Sequence, residues 1–424
     1  MELDKDVKHR FKEYTDKAPG VKTTIHWWGL YKGYSIKLKP VFRKQLFRKT
    51  VEKAGGYFSW AEKKINISRR AIADDLKGKK NPRISTLLKI ARFVHYPLTK
   101  IEKNIVWISQ PKFKPSLPFV FHTPEGAEIR AAFLCDGHLP KSPIDTPQYL
   151  ASELSLHKRL VKLCKSVFGR FNTRTYFDGK TYVTKFPSVI GTALELAGVP
   201  RGDKRKHKIL VPRDILTSPK KIQTAYLRRV FDDEGDVCFD EYGKRAVRIT
   251  RSTDITNKNL ALGLLKSEKW TSIKSPIIPM NTLLLGEQLL LHKLGIDART
   301  YFEGVYKSCR NRITAKWRIQ IGQQDSLRKF AEIINFTLKE KREKLSKTLE
   351  SYRIQKFPNG EAEKFAIKVL NPIYNKKGYF FFGDLGKELV KIGRSYDLAG
   401  YYLKALTEKK SIKKVKRGEY VFLD

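Results

Sequence analysis

Residues 123–137, TPEGAEIRAAFLCDG, and residues 218–235, SPKKIQTAYLRRVFDDEG, carry the reading on which the fold turns. Each opens on a hydroxyl residue and a proline, Thr123-Pro124 and Ser218-Pro219, the pattern of a capping residue with proline at the first helical position. Each continues as a helix and ends in an acid followed by glycine, Asp136-Gly137 and Glu234-Gly235. The glycines are expected to turn the chain out of each helix through a left-handed position. A carboxylate in the last helical turn faces the negative end of the macrodipole, so a bound cation is expected to compensate it. Two such helices side by side would gather both carboxylates and several terminal carbonyl oxygens. That is an oxygen-rich site of the kind Mg2+ prefers, suited to phosphodiester hydrolysis by metal-activated water.

Both segments resemble the signature helix of the LAGLIDADG homing endonucleases in their single-chain, two-repeat form. The match is best over residues 226–237, at Tyr226, Leu227, Arg228, Phe231, Asp232, Glu234, Gly235 and Val237. The resemblance covers residues 123–350 and implies an α+β core of two pseudo-symmetric αββαββα-type repeats that form a saddle on duplex DNA. It further implies that Asp136 and Glu234 are the catalytic acids and metal ligands, holding Mg2+ (or Mn2+). A basic residue often assists cleavage in that family, and Lys185 and Lys316 are the candidates. At the helix interface the first segment has small residues, Ala131, Ala132 and Cys135, whereas the second has Arg229 and Asp233 where the family commonly has Gly and Ala. The run HLPKSPIDTPQYL, with Pro140, Pro143 and Pro147, reads poorly as a central strand, and residues 254–280 read as an insertion.

The implied saddle requires strands with one polar face. In residues 312–321, RITAKWRIQI, Arg312, Thr314, Lys316, Arg318 and Gln320 alternate with Ile313, Ala315, Trp317, Ile319 and Ile321. Residues 245–251, RAVRITR, set Arg248 and Thr250 opposite Val247 and Ile249. Arg and Gln suit bidentate contacts to guanine and adenine. In the first repeat, RFNTRTYFDGKTYVTKF reads as a hairpin turning at Asp178-Gly179.

The flanks read separately. Residues 1–45 form an extension to which no role is assigned, and residues 106–122 belong to a proline-rich linker. Between them, residues 46–105 hold a helical domain in which Ser68 caps a helix to Lys77, Gly78 ends it, and Ser85 caps the next. Its segment GKKNPRISTLLKIARFV resembles the phage-repressor type of helix-turn-helix domain, which implies DNA contact by Arg69, Arg70 and Lys77. The repeats are expected at 123–217 and 218–350. Residues 351–424 give two helices, with Ser395 as a cap, and a basic hairpin about Arg417-Gly418. This order resembles a winged helix with Lys413, Lys414, Lys416 and Arg417 in the wing.

Composition agrees with nucleic-acid binding. The chain of 424 residues carries 86 Lys+Arg against 43 Asp+Glu, a formal charge of +43, with 41% hydrophobic residues. Folded surfaces must carry that charge, and an anionic partner is its usual use. No apolar run approaches a membrane span, and the N-terminus lacks the apolar core of a signal peptide. Four scattered cysteines fit a reducing cytoplasm and argue against a zinc ribbon or disulfide framework. The histidines show no metal-binding spacing, and neither end resembles a protein-splicing block. The expectation is a cytoplasmic, DNA-associated monomer. Three readings stay open: a Mg2+-dependent double-strand DNA endonuclease, a cleavage-deficient regulator on the same scaffold, and an RNA-binding maturase.

Overall fold

The computed structural model describes residues 5–204, 207–240, 243–256, 280–307, 313–352, 357–358 and 360–423. It begins with α1 (Lys5–Lys17), β1 (Thr24–Ile25) and β2 (Ile36–Leu38). Helices α2 (Pro40–Lys53), α3 (Phe58–Ile65), α4 (Arg69–Lys77), α5 (Ile84–Phe93) and α6 (Leu98–Glu102) follow. Helix α3 ends at Asn66 in the left-handed region. Helix α4 starts as its sequence predicts: Ser68 Oγ accepts the Ala71 N–H at 3.3 Å, and Gly78 closes the helix at φ 76°. Ser85 does not cap α5, which begins one residue earlier. The N–H groups of Ile84 and Ser85 already donate to the carbonyls of Tyr34 and Lys32, so no donor there calls for a side chain.

On α4, Asp75 is buried and pushed up to about 6, by desolvation first and by Asp74 next, with Arg43 and Lys80 opposing. A carboxyl group that holds its proton more tightly when folded stabilises the fold fully below its ordinary value near 3.8, and that contribution is lost as pH rises through about 6. Asp75→Asn is therefore expected to flatten the dependence of thermal stability on pH between these values. An unchanged slope in melts across that window would refute this.

Next come β3 (Ile105–Ile108), β4 (Lys114–Pro115) and β5 (Phe119–Val120), then two runs of elements built alike. The first contains α7 (Pro124–Cys135), β6 (Gly137–His138), β7 (Gln148–Ala151), α8 (Leu154–Phe168), β8 (Gly169–Arg170), β9 (Arg174–Phe177), β10 (Tyr182–Lys185), α9 (Ser188–Leu196) and α10 (Arg213–Leu216). The second contains α11 (Lys220–Glu234), β11 (Gly235–Phe239), β12 (Arg245–Asp254), α12 (Thr282–Lys293), β13 (Arg299–Lys307), β14 (Ile313–Ile321), α13 (Gln324–Ile333) and α14 (Lys339–Glu350). Each run has one antiparallel four-stranded sheet, in the orders β6-β7-β10-β9 and β11-β12-β14-β13, which are the same connectivity. Pro140, Pro143 and Pro147 fall in the loop before β7, so the central strand is built from the residues beyond them. The hairpin β9–β10 turns at Asp178-Gly179, where Asp178 Oδ1 accepts the N–H groups of Lys180 and Thr181. The linker is tied down by short ladders, β2 with β3, β1 with β5 and β4 with β8.

Both central helices are buried nearly all round, charged residues included: Glu128 and Arg130 in α7 and Arg229 and Asp232 in α11. Thr123 Oγ1 accepts the Gly126 N–H at 3.0 Å and caps α7 with Pro124 in its first turn. The second helix starts differently: Pro219 occupies the cap position, and Ser218 Oγ donates back to the Ile215 carbonyl. The terminal glycines are also not left-handed, and Gly235 sits at φ −84°. Their lack of a side chain matters for another reason. A Cβ on Gly137 would lie 2.4 Å from Phe133 Cα, and one on Gly235 2.4 Å from the Phe231 carbonyl oxygen.

Helix α1 bridges both runs. The Tyr14 hydroxyl accepts the Val211 N–H at 3.0 Å and donates to the Thr282 carbonyl at 2.8 Å, and α1 packs on α12. One continuous apolar core extends from Tyr14 to Leu345, and a second from Ala366 to Ile412. The second belongs to α15 (Glu361–Lys377), β15 (Phe380–Phe381), α16 (Phe382–Lys391), α17 (Leu398–Glu408), β16 (Ile412–Lys416) and β17 (Glu419–Phe422), with strand order β15-β17-β16. The hairpin turns at Arg417-Gly418 as its sequence predicts, whereas Asp397, not Ser395, stands at the cap of α17. No described helix is long and apolar enough to cross a membrane.

Candidate functional site

Helices α7 and α11 pack against each other, and their ends bring Asp136, Asp233 and Glu234 into one electrostatic neighbourhood. Asp136 is pushed up to about 7, chiefly by burial and then by Asp233 and Glu234, with Lys204 and Arg229 opposing. Glu234 is held by Arg251, whose Nη1 donates to it at 3.3 Å. Arg251 also donates to the buried Glu287 at 2.9 and 2.6 Å and reaches Cys135 Sγ at 3.3 Å. It thus ties β12, α12 and the end of α7 together.

Two lysine side chains meet the carbonyls at the helix ends. Lys204 Nζ donates to the carbonyls of Phe133, Leu134 and Cys135 in the last turn of α7. Lys341 Nζ donates to Phe231 O at 3.3 Å and Asp232 O at 2.6 Å in the last turn of α11. The two lysines have similar sequence surroundings. Each follows a left-handed residue that closes the preceding helix, Gly198 or Asn335, and each stands in an acid-Lys-Arg triplet, Asp203-Lys204-Arg205 or Glu340-Lys341-Arg342. Burial lowers both amines from their ordinary value. The terminal carbonyls are therefore occupied by lysine, contrary to the expected all-oxygen site, and the carboxylates remain as donors.

Arg229 and Asp233, both on α11, form a buried network. Both side chains are 0% exposed and pair at 3.0 Å. Tyr149 on β7 donates to Asp233 Oδ1 at 2.8 Å, and the Arg229 guanidinium lies 4.9 Å from the centre of the Tyr149 ring. The Arg229 cation thus crosses from α11 to β7 and rests on an aromatic face. Desolvation pushes Asp233 up to about 6, with Arg229 and Tyr149 opposing.

A cavity of about 590 Å³ opens beside Glu234, with Lys204, His207, Thr250, Arg251 and Ser252 among its walls. Among the described residues, no group of three or more His, Cys, Asp or Glu side chains is arranged to hold a metal ion. The donor chemistry nevertheless suits Mg2+, which is usually bound by one or two carboxylates with substrate phosphates completing its shell. Asp136, desolvated and crowded by two other acids, is a carboxylate that a divalent ion would relieve.

The sheet faces alternate as their sequences predict except at the start of β14, where Thr314 is buried with Ile313 and Ala315. On β14, Lys316, Arg318 and Gln320 face outward while Trp317, Ile319 and Ile321 are buried; on β12, Arg248 and Thr250 face outward. Arg312 lies outside the described residues, as does most of the 254–280 insertion. The outward cations are held by partners: Arg248 by Asp236 at 2.5 Å and Arg318 by Glu303 at 2.9 Å. Lys316 lies over the Tyr306 ring, and Lys185, with Arg174, over the Tyr176 ring. Lys185 and Lys316 are thus engaged on the sheet faces, whereas the basic groups brought to the acids are Lys204, Arg229 and Arg251. Arg69, Arg70 and Lys77 are exposed along α4. Lys413, Lys416 and Arg417 are exposed on the C-terminal hairpin, Lys416 paired with Glu419 at 3.0 Å. Lys204 and Lys341 could have been found from the repeated acid-Lys-Arg triplet. Arg251, on the buried face of its strand, carried no comparable signal.

No family model and no curated protein matches the chain. Solved structures do show similarity. Mesophilic variants of the homing endonuclease I-DmoI match over 53% of this chain and 98% of theirs, with 14% identity and a TM-score of 0.31. I-DmoI in complex with DNA and Ca matches over 50% of this chain and 90% of its own, at 13% identity and a TM-score of 0.28. Full-length DUF199/WhiA from Thermatoga maritima matches over 69% of this chain and 93% of its own, at 12% identity and a TM-score of 0.33.

Proposed function

We propose that the chain is a two-repeat LAGLIDADG-type protein that binds double-stranded DNA and hydrolyses it with a divalent metal, Mg2+ or Mn2+, held by Asp136 and Glu234. The observation that carries this reading is the meeting of two acid-ended helices, each leading into a sheet of the same connectivity, with Asp136 pushed up to about 7 at their junction. When bound, the ion supplies an activated water and neutralises charge at the phosphate. The chain's own residues hold the geometry. Lys204 and Lys341 satisfy the helix ends, Arg251 orients Glu234, and the Arg229–Asp233–Tyr149 network fixes one repeat on the other. Lys204, whose buried amine adjoins Asp136, is better placed than Lys185 or Lys316 to move a proton there.

The flanking parts fit the same partner. The α3, turn and α4 unit with exposed Arg69, Arg70 and Lys77 reads as a helix-turn-helix entering the major groove. The C-terminal order of helix, strand, two helices and hairpin reads as a winged helix with Lys413, Lys416 and Arg417 in its wing. Pseudo-twofold symmetry within one chain makes a monomer sufficient.

A second reading, a regulator that binds without cutting, is favoured by one observation: Arg251 already occupies Glu234. The test is genomic selection of bound fragments followed by incubation of those fragments with Mg2+ or Mn2+. Cleavage at the bound sites supports the endonuclease. Discrete binding with no cleavage in either metal establishes the regulator, and selection of structured RNA over duplex DNA overturns both.

A further inference from the structure

The two sheet faces differ in one respect that bears on which DNA they accept. On the first, His138, Gln148, Lys185 and Arg174 form one cross-strand row, beside Leu150, Val183 and Tyr176, and apart from the helix-end Asp136, opposite Leu150, no carboxylate stands in either row. The second carries two Arg–carboxylate pairs. Asp236, Arg248, Gln320 and Arg299 form one row, in which Asp236 holds Arg248. In the next row Thr250, Arg318 and Tyr301 stand side by side, and Glu303 reaches Arg318 from an irregularity in β13. There the register jumps from Phe302 to Gly304 against consecutive partners, Trp317 and Lys316, so Glu303 is the extra residue of a bulge. Bulges re-aim side chains, and this one places an acid on a face meant for a polyanion.

An acid on such a face opposes binding to phosphate. It becomes favourable only where it meets a hydrogen-bond donor. In the major groove the cytosine amino group is the donor that Asp and Glu accept from, and Arg reads the guanine O6 and N7 of the same base pair. An Arg beside a carboxylate therefore presents the complement of a G·C pair.

We propose that Arg248–Asp236 and Arg318–Glu303 each read a G·C pair in the half-site under the second sheet, and that the half-site under the first sheet carries no such requirement. Successive rows of one face lie two residues apart along the strand. With strands running along the groove, that is roughly 7 Å, or about two base steps. The target is accordingly non-palindromic. This inference rests on the DNA-binding reading above.

The test is selection of duplexes from a random library by the full chain in EDTA, which suppresses cleavage. The wild type is expected to enrich a site with two G·C pairs about two steps apart in one half only. Glu303→Gln is expected to relax one of these preferences and Asp236→Asn the other, each by roughly tenfold, while the opposite half-site stays unchanged. Thermal melts of both variants, each an isosteric surface change, verify that they are folded. Equal composition in both half-sites, or unaltered preferences in both variants, overturns the proposal while leaving DNA binding intact. Failure to enrich any duplex overturns the DNA-binding reading and this inference together.

Discussion

Asp136→Asn and Glu234→Gln are each expected to lower Mg2+-dependent nicking by more than roughly a hundredfold, since even the outer-shell partners of a metal cost 10–100-fold when removed. Duplex affinity should hold, because the sheet faces and flanking helices supply the contacts to DNA. The two substitutions should differ in their side effects. Asp136 is desolvated and crowded by Asp233 and Glu234, so neutralising it relieves repulsion and the protein should melt no lower. Glu234 faces Arg251, which keeps its two bonds to Glu287 when Glu234 is neutralised. Nicking assays on supercoiled DNA, with binding measured in Ca2+, separate the effects. Undiminished cleavage in both variants would remove these acids from the mechanism.

Arg229→Ala is expected to destabilise the fold by about 3–5 kcal/mol, the cost of leaving a buried charge without its partner. Asp233 is 0% exposed, and only the hydrogen bond from Tyr149 would remain to it. The deficit should be larger at pH 8 than at pH 5. Asp233 is already pushed up to about 6 with Arg229 present, and losing the cation raises it further, so acid protonates the stranded carboxylate. Replacing Arg229 and Asp233 together with apolar residues should recover most of the loss, since an apolar filling leaves no charge unpaired. Denaturant midpoints of the single and double variants decide it: a single variant as stable as the wild type would mean that the pair contributes nothing across the repeat junction.

Much of the architecture was legible because its signals are local. Ser68 with Gly78, Thr123 with Pro124, and the turn at Asp178-Gly179 announce element ends through capping and turn chemistry, and the alternation of RITAKWRIQI orients β14 without reference to anything distant. The two acid-ended helices were legible because one pattern occurs twice. What escaped was contact at long range. Ser85 lost its capping role to the carbonyls of Tyr34 and Lys32, far back in the chain. The prolines before β7 implied a broken strand, yet the strand begins just after them. The glycines were read as left-handed caps, whereas close packing on Phe133 and Phe231 is what excludes a side chain there. Arg251 looks like any other alternating residue of RAVRITR, and its placement between Glu234 and Glu287 depends on a helix that comes later.

Helix α1 has a consequence for how the chain is made. Tyr14 leaves the ribosome long before either of its partners: Val211 follows 197 residues later and Thr282 268 residues later. At ordinary rates of synthesis that wait is on the order of tens of seconds. A thirteen-residue helix alone in water is marginal, so this segment stays largely unstructured until Val211 and Arg213 emerge, and it is fully docked only once α12 follows. Its docking is then among the last steps by which the nascent chain joins its two halves, and a ribosome that stalls before Thr282 leaves them without this clasp.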